Sequence, residues 1–254
     1  MMKRTLVCML FGAVLSPAFA QTQEMPESAT AVMEAHGGMD LWKSLGGLVF
    51  QKGDGEEAET HITNLWDRRI RVENSKYTIG FDGTDVWVSP ADAEMRGSAR
   101  FYHNLYFYFY AMPFVLGDPG IYYEEVPDLE LMGKTYGGVK ISYAPNVGDS
   151  PDDNYILYYD KATHQMEWLM YTVTYRGGGP SDKYSLIKYG DWQDVPTGGA
   201  SVRLPKSITW YNYEDGVVGD ARGGAEFPMV SVSAEPPLDS RFARPEDSRI
   251  DPKN

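Results

Sequence analysis

The sequence predicts a mainly β protein with a few helices (α+β), built on an antiparallel sheet. Three observations carry that expectation. Between Leu48 and Tyr213 the apolar residues recur mostly with period two, the spacing of a half-buried strand. The β-rich runs are short and follow one another directly, separated by Gly, Pro, Asn and Asp turns rather than by helical crossovers, which favours antiparallel pairing. Only two segments, 30–45 and 101–116, read as helix.

Taken in order, Met1 to Arg4 carries two positive charges, Thr5 to Leu15 is apolar, and Ala18-Phe19-Ala20 has small residues at the right spacing for cleavage. This pattern predicts a secretory signal peptide over residues 1–20, cut before Gln21, and its apolar run is too short to span a membrane. Gln21 to Ser28 is a polar leader, and "TAVMEAHGGMDLWKSL" predicts a helix interrupted at Gly37-Gly38. "LVFQKG", "ETHITNLW", "RRIRVEN" and "KYTIGFDGTDVWVSP" then read as strands, with Asp82-Gly83 as a hairpin turn. After the loop "SPADAEMRGSAR" and the aromatic segment come "GIYYEEV", "DLELMG", "TYGGVKISYAP", "NYILYYD", "QMEWLMYTVTYR", "KYSLIKYGDWQ" and "LPKSITWYNYE". The turn between Tyr159 and Gln165 is built on Asp160 and Thr163. From Glu235 the chain has four prolines and little periodicity, so residues 240–254 are expected to be a loosely ordered tail after one domain over 21–239.

The segment "FYHNLYFYFYAMPFVLGDPG" sets the functional question: seven of the ten residues from Phe101 to Tyr110 are Phe or Tyr. As a strand, the tyrosines and phenylalanines of 106–110 would take opposite faces. As a helix, Phe101, Leu105, Tyr108, Phe109, Met112 and Leu116 form one stripe. Ser98 as N-cap and the absence of an internal turn signal favour a helix, with Pro113 ending or kinking it. Such a helix is apolar nearly all round and needs cover on more than one side. One side can rest on the concave face of the sheet, and the rest must meet other segments or a ligand. Tyrosines give that wall an apolar body with hydroxyl tips.

Composition narrows the function classes. Without Lys3 and Arg4 the chain has 21 basic and 36 acidic residues, a net charge of −15 that opposes binding to nucleic acid and anionic membranes. Its only cysteine, Cys8, falls in the signal peptide, so the mature chain can form neither disulfides nor thiolate metal sites. No nucleophile elbow, phosphate loop, dinucleotide fingerprint or metal-binding histidine spacing is present, and no cofactor or metal is expected. His36 beside its glycine turn is expected to hydrogen-bond locally, and His164 to sit solvated at a hairpin. The acidic loop with Asp149, Asp152 and Asp153 reads as a solvated turn rather than a calcium loop. Phe101, Leu105, Tyr108, Phe109 and Met112, with Trp66, Trp87 and Trp168 as walls, are the candidate ligand-binding residues. Of the basic cluster Arg68, Arg69 and Arg71, the last two share a face, and they are placed with His103 as candidates for a carboxylate or phosphate headgroup.

The order of these features resembles the periplasmic lipoprotein-carrier (outer-membrane lipoprotein localisation) superfamily, through "IGFDGTDVWVSP", the aromatic segment, "YILYYDKATHQMEWLMYTVTY" and "LPKSITWYN". "AHGGMDLWKSL", "NLYFYFYAMPFVLGDPG" and "LYYDKATHQMEWLMYTVTYR" look more closely like an uncharacterised exported bacterial family assigned to it. The resemblance implies an incomplete β-barrel around an apolar cavity with helices as lid or plug. With the absence of a catalytic signature and the aromatic segment, the sequence reads as an exported, non-enzymatic periplasmic protein whose partner is a lipid, an acyl chain or another hydrophobic molecule. The rival expectations are an envelope protein–protein assembly module and a hydrolase using His103 on a lipid or glycan.

Overall fold

The Gly37-Gly38 pair parts two helices, α1 (Glu27–Ala35) and α2 (Met39–Lys43). Gly37 sits at φ +114°, and a Cβ there would come within 2.6 Å of the Ser201 carbonyl, so both the turn and the close backbone approach require glycine. The structure, a computed structural model, describes residues 24–145, 150, 152–175 and 179–252. The expected signal peptide and Asp149 lie outside these residues.

Five short strands follow: β1 (Gly47–Lys52), β2 (Glu59–Asn64), β3 (Ile70–Glu73), β4 (Thr78–Phe81) and β5 (Val86–Ser89). Asp82 Oδ1 accepts the backbone N–H groups of Thr84 and Asp85, which closes the β4–β5 hairpin at the expected Asp-Gly. After the helical aromatic segment come β6 (Ile121–Leu131), β7 (Lys134–Tyr143), β8 (Tyr155–Asp160), β9 (Met166–Tyr171), β10 (Ser185–Pro196), β11 (Ser201–Glu214), β12 (Val217–Glu226) and β13 (Met229–Ser233). The two runs expected on either side of Pro127 are one strand, β6, with a bulge between Val126 and Leu129 that absorbs the proline. Asp160 Oδ1 accepts from the N–H groups of Ala162 and Thr163, as the β8–β9 turn requires. Adding β14 (Arg249–Asp251), the strands form two antiparallel sheets. Their orders are β13-β1-β2-β3-β4-β5-β14 and β12-β11-β10-β9-β8-β7-β6, and neither closes into a barrel.

One core joins both sheets and the helices, with Leu48, Phe50, Val72 and Ile79 on one side and Val139, Leu157, Leu169 and Ile187 on the other. The aromatic segment fills the space between. It is not one helix but three: α3 (Ala99–Tyr102), α4 (Leu105–Tyr110) and α5 (Met112–Val115). Ser98 caps α3 by accepting from Phe101 N–H, as expected, and Pro113 sits in the first turn of α5, where it needs no N–H donor. The breaks let rings point in several directions. Phe50 stacks on Tyr110 at 4.2 Å, Trp42 on Phe114 at 4.2 Å, and Phe109 packs against Tyr171 at 4.9 Å. Most of the aromatic segment is therefore ordinary core.

The C-terminal residues correct the sequence expectation. Residues 240–252 are not a loose tail: Phe242 is fully buried, and β14 pairs with β5 at the sheet edge. They cross the outer face of the first sheet, where Trp87 Nε1 donates to the Phe242 carbonyl at 3.3 Å and Arg71 donates to the Arg241 carbonyl at 3.2 Å. Gly80 makes room for the Trp87 ring, since a Cβ at residue 80 would lie 2.1 Å from it. Asp251 then accepts from Ser98 Oγ at 2.9 Å and Arg100 N–H at 2.8 Å, tying the end of the chain to the start of α3. Proline-rich sequence forbids internal helix or ladder, but it does not forbid packing on a neighbour.

Candidate functional site

A cavity of about 230 Å³ opens where α3 and α4 meet the ends of strands from both sheets. Arg100 and Phe101 reach it from α3, His103 and Asn104 from the break between the helices, and Leu105 and Tyr108 from α4. Phe81 at the end of β4 supplies a wall from the first sheet; Tyr143 ending β7 and Tyr155 opening β8 supply one from the second. Ser150, Asp153 and Tyr175 complete the lining. Six of these twelve side chains are Phe or Tyr, and the only aliphatic one is Leu105.

The polar groups of the wall are held in specific ways. His103 Nδ1 donates to the Arg100 carbonyl at 2.6 Å. Asp153 accepts from Thr174 N–H at 2.6 Å and from its hydroxyl at 2.8 Å. Burial raises the Asp153 carboxyl above its ordinary value, against the lowering effect of those two bonds. Burial likewise pushes the Tyr143 and Tyr155 hydroxyls far up, so both stay protonated at any physiological pH. Asn104 Oδ1 and Tyr143 Oη are buried with no hydrogen-bond partner among the described residues. Unpaired buried polar atoms are uncommon and costly, and a cavity wall is where a ligand can satisfy them.

Four of the residues expected to bind ligand or headgroup meet here: Phe101, Leu105, Tyr108 and His103. The others do not. Both Phe109 and Met112 are buried in the core: Phe109, on α4 itself, packs against Tyr171 and Trp210, and Met112 lies past the break after Tyr110, in α5. Trp66 is 61% exposed in the turn between β2 and β3. Trp87 lies under Phe242 on the outer face, and Trp168 belongs to a separate apolar cluster with Tyr136, Met170 and Leu186 on the far side of the second sheet. Strand alternation places each tryptophan on a face but leaves open which face is the inner one. Arg69 is engaged with Asp67 and Asp239, and Arg71 with Glu73 and Arg241, both on the outer face rather than at the cavity. It is Arg68 that reaches the aromatic segment, pairing with Asp118 and lying 4.4 Å from the Phe107 ring centre.

A buried ionic cluster beside the helices was not foreseen. Glu59 accepts from Lys52 at 2.6 Å and from Tyr102 Oη at 2.5 Å, fastening α3 to β1 and β2. His61 Nε2 lies 3.5 Å from the same carboxylate, an electrostatic contact rather than a well-formed hydrogen bond, and its ring stacks on Phe50. Burial would raise the Glu59 carboxyl, but His61, Lys52 and Tyr102 outweigh it and hold it down at about 2. The signal was present: Glu59, His61 and Thr63 share one face of β2, an unusual polar run on an inward face. For Tyr143, Tyr155 and Asp153 there was none, because they reach the cavity only through strand pairing. Among the described residues no helix is long and apolar enough to cross a membrane, and no cluster of three metal-ligating side chains occurs.

Residues 70–190 match the model of a family described as a "Family of unknown function (DUF6503)". A search of curated proteins finds no match. Among solved structures, the chain is similar to a LolA superfamily protein from Nitrosomonas europaea, with a TM-score of 0.50 at 10% identity over 85% of this chain and 97% of that one. It is also similar to a putative outer membrane lipoprotein-sorting protein domain from Vibrio parahaemolyticus, with a TM-score of 0.37 at 10% identity over 81% of this chain and 91% of that one. A DUF1329 family protein from Desulfovibrio piger gives a TM-score of 0.41 at 9% identity, over 80% and 91% of the two chains. Two open antiparallel sheets around a few helices are thus the fold that the chain shares with the Nitrosomonas europaea protein, and the resemblance to an uncharacterised family is borne out over residues 70–190, which include the aromatic segment and the β8–β9 hairpin.

Proposed function

We propose that this chain is an exported, non-enzymatic binding protein that holds a hydrophobic molecule, a lipid or another apolar ligand, in the cavity between α3–α4 and the ends of β7 and β8. The observation that carries this reading is the cavity's lining: six rings and Leu105, two of the rings and the leucine from an element otherwise spent on core packing, with polar tips left over. Apolar burial supplies affinity at about 25 cal/mol per Å², and a few polar groups orient the ligand. Export rests on the expected signal peptide. Native mass spectrometry of the chain purified gently from the periplasm tests the reading. The expected result is an extra mass that organic solvent strips away. Leu105→Trp, which fills the cavity, should reduce that adduct by tenfold or more while leaving the thermal midpoint within a few degrees. A chain that stays apo after incubation with palmitate, phospholipid and naphthol would overturn the reading and favour a protein-assembly role. An adduct retained unchanged by Leu105→Trp would place the ligand elsewhere.

A further inference from the structure

The cavity's chemistry is not that of a chain-binding site. A flexible acyl chain gains from aliphatic walls of any shape, and it gives up torsional freedom when it is held. Here Leu105 is the only aliphatic side chain in the lining among the described residues, while six are Phe or Tyr. The rings are already arranged as a stacking surface: Tyr108 and Tyr155 lie 14° from parallel with centres 6.4 Å apart, and Tyr143 meets Tyr155 edge-on at 6.1 Å. Aromatic faces and edges reward another ring, beyond the area buried, through their complementary quadrupoles.

Size points the same way. A dry cavity of about 150 Å³ accommodates one benzene ring. The cavity here, about 230 Å³, is half as large again, room for a substituted ring or two fused rings. Among the described residues the wall also carries one cation, Arg100, and one carboxylate, Asp153, so they offer no single-signed field to a charged headgroup. What it leaves unsatisfied is neutral: the Asn104 Oδ1 acceptor and the Tyr143 hydroxyl, which can donate or accept.

We propose that the ligand is a compact, uncharged aromatic or fused-ring molecule bearing a hydroxyl or amide that donates to Asn104 Oδ1 and pairs with the Tyr143 hydroxyl. This rests on the binding-protein reading above and names its ligand class.

The test is calorimetric titration of the purified, delipidated chain with three neutral probes: 2-naphthol, naphthalene and 1-decanol. The expected result is that 2-naphthol binds about tenfold more tightly than naphthalene, the worth of one or two net hydrogen bonds. It should exceed 1-decanol by at least as much. Tyr143→Phe removes a hydroxyl that has no partner among the described residues, so it should melt at or above the parent temperature. It should bind naphthalene as before and lose most of the preference for 2-naphthol. Tighter binding of 1-decanol than of 2-naphthol would overturn the ring proposal and leave the binding-protein reading standing. An unchanged naphthol preference in Tyr143→Phe would overturn the polar assignment. Failure of all three probes, together with a chain that purifies without ligand, would overturn both.

Discussion

Deleting residues 240–254 is expected to lower the thermal midpoint by about 10 °C or more and to weaken ligand binding as well. The deletion uncovers Trp87 and removes Phe242, both fully buried. Losing a buried Phe alone costs roughly 3–5 kcal/mol, and a protein of this size loses about 2–4 °C per kcal/mol. The deletion also removes the β14–β5 pairing and leaves Arg71 without the Arg241 carbonyl. Asp251 links this packing to function: it holds Ser98 and Arg100 at the start of α3, whose next residue, Phe101, lines the cavity. The affinity loss should therefore appear in Asp251→Ala too, where two hydrogen bonds to the start of α3 are lost at a cost of roughly 1–3 kcal/mol but the Ser98 cap and the Phe242 packing remain. Calorimetric melting of the deleted chain within about 2 °C of the parent would show that the crossing segment contributes nothing to stability.

Acid should destabilise the protein well before its carboxylates titrate. Burial lowers His36 from 6.5 to about 4, against the bond its Nδ1–H donates to the Val32 carbonyl, with Arg203 adding to the lowering. The unfolded chain therefore binds a proton first as pH falls. Stability from this group is complete above 6.5 and is lost as pH drops towards 4. The difference between those values corresponds to about 3 kcal/mol. His61, lowered chiefly by burial, adds a contribution of the same sign below 6.5. Glu59 acts in a lower window: its folded value near 2 lies below its ordinary 4.5, so its contribution is present above 4.5 and disappears between there and 2. Urea unfolding measured from pH 7.5 to 4 should show a falling midpoint. His36→Gln, which can still donate to Val32 but cannot titrate, should flatten that dependence. The same slope in the variant would assign the effect to other groups.

Local chemistry made much of this protein legible from its residues. Period-two runs, Asp82-Gly83, the Asp160–Thr163 turn, the Gly37-Gly38 break and the Ser98 cap each depend on a few neighbouring residues, and each occurs as expected. β12 and β13 escaped because β12 is glycine-rich and polar, so its strand character comes from pairing along β11 rather than from propensity. The aromatic segment's helicity was readable, but its division into three pieces was not, since rings on every side make several packings equivalent until the sheets choose among them. The same limit governs the site. Phe101, Leu105, Tyr108 and His103 could be named because they share one short segment. Tyr143, Tyr155 and Asp153 arrive from other strands, and Trp87 and Trp168 turn outward, because only the joining of two sheets decides which face of a strand is the inside. Sequence by itself determined the fold class, the turns and the segment that would bear the cavity. Tertiary structure decided which rings became core, which polar atoms were left unpaired, and that the proline-rich terminus would close the outer face, since each depends on contacts between residues far apart in the chain.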